Sequence, residues 1–241
     1  GDPAIDEISG NFSSEAQSIW TLNDKDGFTV TRGGIASRLP DTRQAFTSNS
    51  SGKLIPLSTG SASKAQLGIE GKNDTYHSEL IAWAKGDGRK SLEDPLHSEP
   101  TVITYTKDKV SNKTERSIFL GTNSGFLHAF DIDDDKPSEH FTFIPKELLQ
   151  NLEKYHTGGG INANKAYGID GPITHWHQDI DGDGQVNNGE KVYLYITLRR
   201  GGQSLYALDI SDRNNPKMLW EKHGNYPSDF PNRPSISSGY E

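Results

Sequence analysis

The second half of this chain repeats itself, and that repeat limits its folds more than any other feature. Ile118–Ile132 reads IFLGTNSGFLHAFDI and Ile196–Ile210 reads ITLRRGGQSLYALDI. At an offset of 78 residues, the separation of Asp131 and Asp209, Leu120 meets Leu198, Leu127 meets Leu205, Ala129 meets Ala207 and Ile132 meets Ile210. Each unit reads as a strand, a glycine-bearing turn, and a second strand of alternating apolar residues that ends at Asp. A proline loop (Pro137, Pro216) then leads to a further strand, His140–Ile144 or Met218–Lys222. Each unit is also preceded by a strand that opens after proline, at Pro100 and at Pro172. Four antiparallel strands repeated in tandem form the pattern of β-propeller blades. Two similar hairpins of a β-sandwich are the alternative.

The expectation is an all-β chain, 1–241: a modified, partial β-propeller of four-stranded antiparallel blades with short helical insertions, as one domain or a fragment of one. Clear blades fall at about 100–144 and 172–222, and a further blade start is expected at Arg233-Pro234-Ser235-Ile236. The spacing exceeds the ~40–50 residues of ordinary blades because insertions lengthen both units. One insertion, Pro145–His156, predicts a helix with Leu148, Leu149, Leu152 and Tyr155 on one face. Upstream, strands are predicted at Ser18–Leu22, Phe28–Thr31 and Gln44–Thr47, with a turn at Asp24-Lys25-Asp26-Gly27. A turn at Asn49-Ser50-Ser51-Gly52 leads into Lys53–Leu57 as a hairpin. Tyr76–Lys85 predicts a short helix stopped by Gly86. The Gly-Asp-Pro start carries no leader pattern and reads as a mature or excised fragment.

Composition narrows the function. There are 33 acidic residues against 25 basic ones, a net charge of −8, and no basic block offers phosphate an electrostatic footprint. Cysteine is absent, which removes disulfides, thiol nucleophiles and thiolate zinc sites. The longest mainly apolar run, Val192–Leu198, is of strand length, short of the ~20 residues a spanning helix needs. Nucleophile-elbow, zinc-protease, P-loop and dinucleotide motifs are all missing, so nothing points to catalysis.

The sharpest chemical motif is Asp179-Ile-Asp181-Gly-Asp183-Gly184-Gln185-Val-Asn187-Asn-Gly-Glu190. It satisfies the twelve-residue calcium loop D-x-[DN]-x-[DN]-G-x5-E at every required position. Calcium is a hard cation that takes six to eight oxygens at about 2.3–2.6 Å. Asp179, Asp181 and Asp183 curl three carboxylates round one centre, and Gly184 permits the sharp turn after them. Gln185 donates its backbone carbonyl, Asn187 binds directly or through water, and Glu190 closes the shell. Val186 is placed to anchor the loop to the body. Without a cation these carboxylates repel one another, so Ca2+ is expected to order the loop. Its flanks read as strands rather than helices, which makes the metal a local staple and not the opener of a groove.

Lesser constellations carry less. Asp131-Ile-Asp133-Asp134-Asp135 resembles the start of a second such loop but has Lys136 where glycine is required. Asn23-Asp24-Lys25-Asp26-Gly27 is weaker still. His175 and His177 share a strand face that could suit zinc or nickel, yet no third ligand can be assigned. His97 and His128 read as hydrogen-bonded structural residues, and Arg199-Arg200-Gly201-Gly202 as a turn.

Several strings together resemble the C-terminal propeller domain of PilY/PilC-type type IV pilus proteins. They are Leu80–Gly86, Glu93–Pro100 (EDPLHSEP), Gly121–Phe130 (GTNSGFLHAF), Phe143-Ile144-Pro145, Tyr167–Pro172 (YGIDGP) and Leu198–Gly202 followed by Tyr206–Asp209. The resemblance runs over roughly Gly33–Trp220. It implies a modified propeller on a secreted protein at the pilus tip or outer membrane of a Gram-negative bacterium, acting in pilus extension and retraction, twitching motility and adhesion. Its partners would be minor pilins and the pilus machinery, with a host or abiotic surface. The family's calcium loop carries over to Asp179, Asp181, Asp183, Gln185 and Asn187; the family often has Asp at that last position, so this loop has less charge. The rival readings are a quinoprotein-like dehydrogenase propeller and a secreted carbohydrate-binding propeller.

Overall fold

Val192, Leu194 and Ile196 are fully buried and alternate with half-buried Tyr193, Tyr195 and Thr197, a period of two that only a strand with one covered face satisfies. In the computed structural model, residues 4–18, 20–21, 25, 27, 33–89, 92–108, 113–132, 137–158 and 165–224 are described. Strands β1 (Ala45–Ser48) and β2 (Leu54–Pro56) come first, followed by helices α1 (Lys64–Leu67) and α2 (Asp74–Ala84). Then come β3 (Thr101–Asp108), β4 (Lys113–Gly121), β5 (Leu127–Asp131) and β6 (Ser138–Phe143). A 3-10 turn at Lys146–Asn151 runs into α3 (Leu152–His156), and β7 (Ile173–His177), β8 (Val192–Thr197), β9 (Leu205–Asp209) and β10 (Lys217–Lys222) complete the order.

The repeat is structural. The strands β3 to β6 and β7 to β10 form two antiparallel meanders, and β5 and β9 occupy residues at the sequence offset of the repeat. The first sheet is larger than one blade. The hairpin β1–β2 forms across the turn 49–52 as expected, and β1 then adds to the sheet parallel to β6, Ala45 facing Thr142 and Phe46 facing Phe143. The sheet order is therefore β2-β1-β6-β5-β4-β3, against β10-β9-β8-β7 in the second.

Inner faces of the two sheets meet in one core, where Ile103, Phe119 and Phe143 pack with Ile173, Leu194, Ile196 and Tyr206. Each fully buried side chain of this kind contributes about 1.5–3 kcal/mol relative to exposure. Helix α2, capped by Asn73 accepting from the Tyr76 amide at 2.8 Å, lays Leu80, Ile81 and Ala84 on the same core. The predicted helix over 145–156 is divided, tight through Leu149 and regular only from Leu152. Three leucines still reach the core from it.

Upstream the expectation fails in part. Ser18, Trp20 and Thr21 form no strand, because Ser18 draws the backbone into local bonds: its Oγ accepts from Trp20 N and its carbonyl from Thr21 N. Serine offers the chain this alternative to a ladder. Phe28–Thr31, most of the turn at 24–27 and the expected blade start near 234 lie outside the described residues.

A polar seam lines the outer face of the first sheet. Buried Glu139 takes Arg43 Nε at 3.1 Å on one oxygen and His128 Nδ1 at 2.6 Å on the other. Burial holds the His128 imidazole below its ordinary range, although Glu139 pulls the other way. The unfolded chain therefore binds this proton more readily. The stability gained from a neutral His128 is complete above about pH 6.5 and is lost as pH falls below it.

Two predictions follow from packing and from this seam. A Cβ on Gly201 would lie 1.7 Å from the Gly168 carbonyl, whereas one on Gly71 meets nothing within 4 Å. Urea unfolding should show Gly201→Ala losing about 3 kcal/mol or more and Gly71→Ala staying within about 0.5 kcal/mol. Between pH 7 and 5 the wild type should lose up to about 1.4 kcal/mol per pH unit through His128. The same titration on His128→Gln should give a shallower slope.

Candidate metal centre

The loop joining β7 to β8 is built on a strand hairpin, as its flanks predict. The ladder runs one pair beyond the strands, Gln178 N to Lys191 O at 2.7 Å, before the chain departs. Gly182 and Gly184 both sit at φ +74°, which no other residue type adopts so readily. These two turns throw successive aspartates to one side. One carboxylate oxygen from each of Asp179, Asp181 and Asp183 lies within 4.8 Å of the other two, all three residues exposed. Loop amides support them: Gly184 N donates to Asp179 at 3.1 Å, Asp183 N to Asp181 at 3.2 Å and Gln185 N to Asp183 at 2.8 Å.

Asn187 reaches the cluster, its Nδ2 donating to Asp183 Oδ2 at 3.1 Å, while its Oδ1 is buried without a hydrogen-bond partner. Glu190 lies outside the cluster. Its buried carboxylate accepts the Ile180 amide at 2.6 Å and the Asn187 amide at 3.2 Å, with His177 Nε2 at 3.5 Å. The amide of Ile180, followed by that of Asn187, holds this carboxyl below the usual carboxylate range. Glu190 thus ties the two ends of the loop together across its base.

The loop is fastened to the other sheet. Val186 N donates to Thr104 O at 2.9 Å, beside the irregularity in β3 between Thr104 and Thr106, and the Val186 side chain packs on the shared core. Residue eight of the loop therefore bridges the two sheets.

Other candidates resolve differently. Asp131 is engaged by His140 and Arg213, and Asp133–Asp135 lie outside the described residues. His177 is turned to Glu190. Among the described residues no third metal-ligating side chain joins the His175–His177 pair.

One constellation went unread in the sequence. Asp170, fully buried ahead of β7, meets His97 Nδ1 at 3.0 Å and accepts from Asn123 Nδ2 at 3.2 Å, with Arg199 Nη1 at 3.5 Å. Asn123 also donates to Asp94, which pairs with Lys165 at 2.7 Å. Four separated strings, EDPLHS, GTNSG, YGIDGP and LRRGG, converge here. Their order along the chain gave the resemblance; only folding shows that they form one junction between the sheets.

Known proteins can now be set beside this geometry. A family model described as the PilY1 beta-propeller domain matches residues 74–240. The chain is 28% identical over 177 residues to the type IV pilus biogenesis factor PilY1 of Pseudomonas aeruginosa strain PAO1, covering 61% of this chain and 14% of that protein. Against the same factor from strain UCBPP-PA14 it is 25% identical over 232 residues, covering 81% and 19%. A PilY1 homolog of Xylella fastidiosa is 36% identical over 105 residues, covering 44% and 8%. The chain thus spans no more than 19% of the length of these relatives. The crystal structure of the Pseudomonas aeruginosa PilY1 C-terminal domain is 30% identical, with TM-score 0.28, covering 45% of this chain and 19% of that one.

If Glu190 holds the loop base, Glu190→Ala should speed amide hydrogen exchange at Ile180 and Asn187 by about tenfold. Amides in the centre of β8 should keep their wild-type protection. Equal protection of Ile180 and Asn187 in both proteins would remove this role from Glu190.

Proposed function

The chain belongs to the PilY1 β-propeller family, and from that premise we propose that it is a calcium-binding, non-catalytic propeller segment of a type IV pilus biogenesis protein. The observation that carries the metal assignment is the gathering of the Asp179, Asp181 and Asp183 carboxylates within 4.8 Å, next to the orphaned Asn187 Oδ1. The donor set is all oxygen, which suits a hard cation and neither zinc nor copper. Asp179, Asp181 and Asp183 would hold Ca2+ with the Gln185 carbonyl and the Asn187 side chain, and Glu190 would serve from the base of the loop. The cation supplies positive charge that cancels the repulsion of three gathered carboxylates.

The relatives bear the name type IV pilus biogenesis factor, and this name supports a place at the bacterial surface with the pilus machinery and its minor pilins. In this reading calcium fixes a loop that also grips β3 through Val186 and Thr104, so the cation acts on the pairing of the sheets in pilus extension, retraction and attachment.

Calorimetric titration of the chain with Ca2+ tests the site. Asp183→Asn and Asp179→Ala should each weaken binding by tenfold or more, about 1.4 kcal/mol, with circular dichroism unchanged. Trp176 stands one strand-end from the loop, and its fluorescence should follow the same titration. Undiminished affinity in both variants would refute the site. In a piliated host, the Asp183→Asn allele should alter surface piliation or twitching at wild-type protein levels.

A further inference from the structure

The polar seam on the outer face of the first sheet holds more positive charge than it can neutralise. Arg43 and Arg89 are 2% and 3% exposed, and the one buried carboxylate between them, Glu139, already serves Arg43 and His128. Arg43 Nη2 donates to the Arg89 carbonyl at 2.6 Å, which draws the two residues together, while Arg43 Nη1 has no partner. Arg89 is more exceptional. None of Nε, Nη1 and Nη2 has a hydrogen-bond partner. Its guanidinium lies 4.0 Å over Phe126 and 5.3 Å from Trp83, so aromatic rings occupy its faces and leave the N–H edge to be satisfied. Glu93 is exposed and attracts Arg89 only through space.

Glu139 Oε2 faces Arg43 Nε at 3.1 Å outside hydrogen-bond geometry, and, the guanidinium groups aside, the other unpartnered groups on this face are neutral hydroxyls. Thr142 stands opposite His128, Ala45 stands opposite Thr142, and Thr47 follows Ala45 on the same face. Both threonine hydroxyls are buried without a partner. Among the described residues, two buried guanidinium groups, one buried carboxylate and a neutral imidazole leave a surplus of one positive charge in the interior. An uncompensated buried charge costs several kcal/mol. An acceptor is missing, and it must carry about one negative charge and no donors of its own.

We infer that Arg89 and Arg43 hold a small monovalent anion of halide size at the N–H edge of the Arg89 guanidinium. Water would leave the charge uncancelled, and a divalent sulfate or phosphate would over-compensate it at a greater desolvation cost. Burial, followed by the nearness of Arg43, lowers the Arg89 guanidinium to about 9; it is therefore still charged at neutral pH. The inference is independent of the calcium loop, which lies on the other sheet.

Thermal unfolding of the 241-residue chain in sodium chloride, bromide and sulfate at matched ionic strength tests it. Chloride and bromide should raise Tm with the logarithm of their concentration above the Kd, by about 5 °C at a hundred times the Kd, and sulfate should not. Arg89→Met keeps a straight chain under Phe126 and Trp83 and should fold but lose the halide response. Glu139→Gln enlarges the surplus charge and should strengthen it. Crystals soaked in bromide should show an anomalous peak at the Arg89 edge. Equal Tm in halide and sulfate, an unaltered response in Arg89→Met, or no bromide peak at that edge would each overturn the inference.

Discussion

One buried carboxylate holds the two sheets in register. Asp170 has no exposed surface, and it gathers His97, Asn123 and Arg199. Those partners come from the approach to β3, the β4–β5 turn and the β8–β9 turn. Removing such a partnered buried charge leaves the others stranded, at a cost of about 3–5 kcal/mol. The close backbone approaches of Gly121, Gly168 and Gly201 lie at the same junction. Side chains at those positions would push the loops apart before any hydrogen bond could form.

With the junction fixed, the sheets present their edges to one another, and the acidic loop exploits that. Thr101 Oγ1 donates to Ile173 O at 2.9 Å and Tyr105 OH to Ile210 O at 2.8 Å, so β3 is bound to the second sheet along its length. Val186 adds a bond from the loop to Thr104, between those two contacts. The loop is therefore joined to β3 by a backbone bond and a core side chain. It does not depend on a mobile helix pair.

Much of this was legible in the residues. The period of two in β8 and the repeat of β5 in β9 identify strands because burial of one face enforces them. The spacing of the acidic loop made the gathering of Asp179, Asp181 and Asp183 legible. The exceptions are long-range. Nothing local announces that Ala45 pairs in parallel with Thr142, or that Arg43 meets Glu139, because these contacts join segments nearly a hundred residues apart. Glu190 shows a subtler limit: its spacing names it as a ligand, while its carboxylate in this structure is occupied by the amides of Ile180 and Asn187. Ser18, Trp20 and Thr21 misled for the opposite reason, a strand-like pattern undone by one serine's local bonds.

The two charge clusters of this molecule are mirror images in solvent as well as in sign. At the loop, three carboxylates are gathered in water, where high dielectric weakens their repulsion. At the seam, two guanidinium groups are gathered in the interior, where the same separation is far more costly and compensation has to accompany folding. Compensation at the loop can therefore wait until the chain has folded. At the seam it cannot wait, because both guanidinium groups are buried. A single chain thus keeps one charge cluster exposed at the edge between the sheets and the other buried on the outer face of the first one.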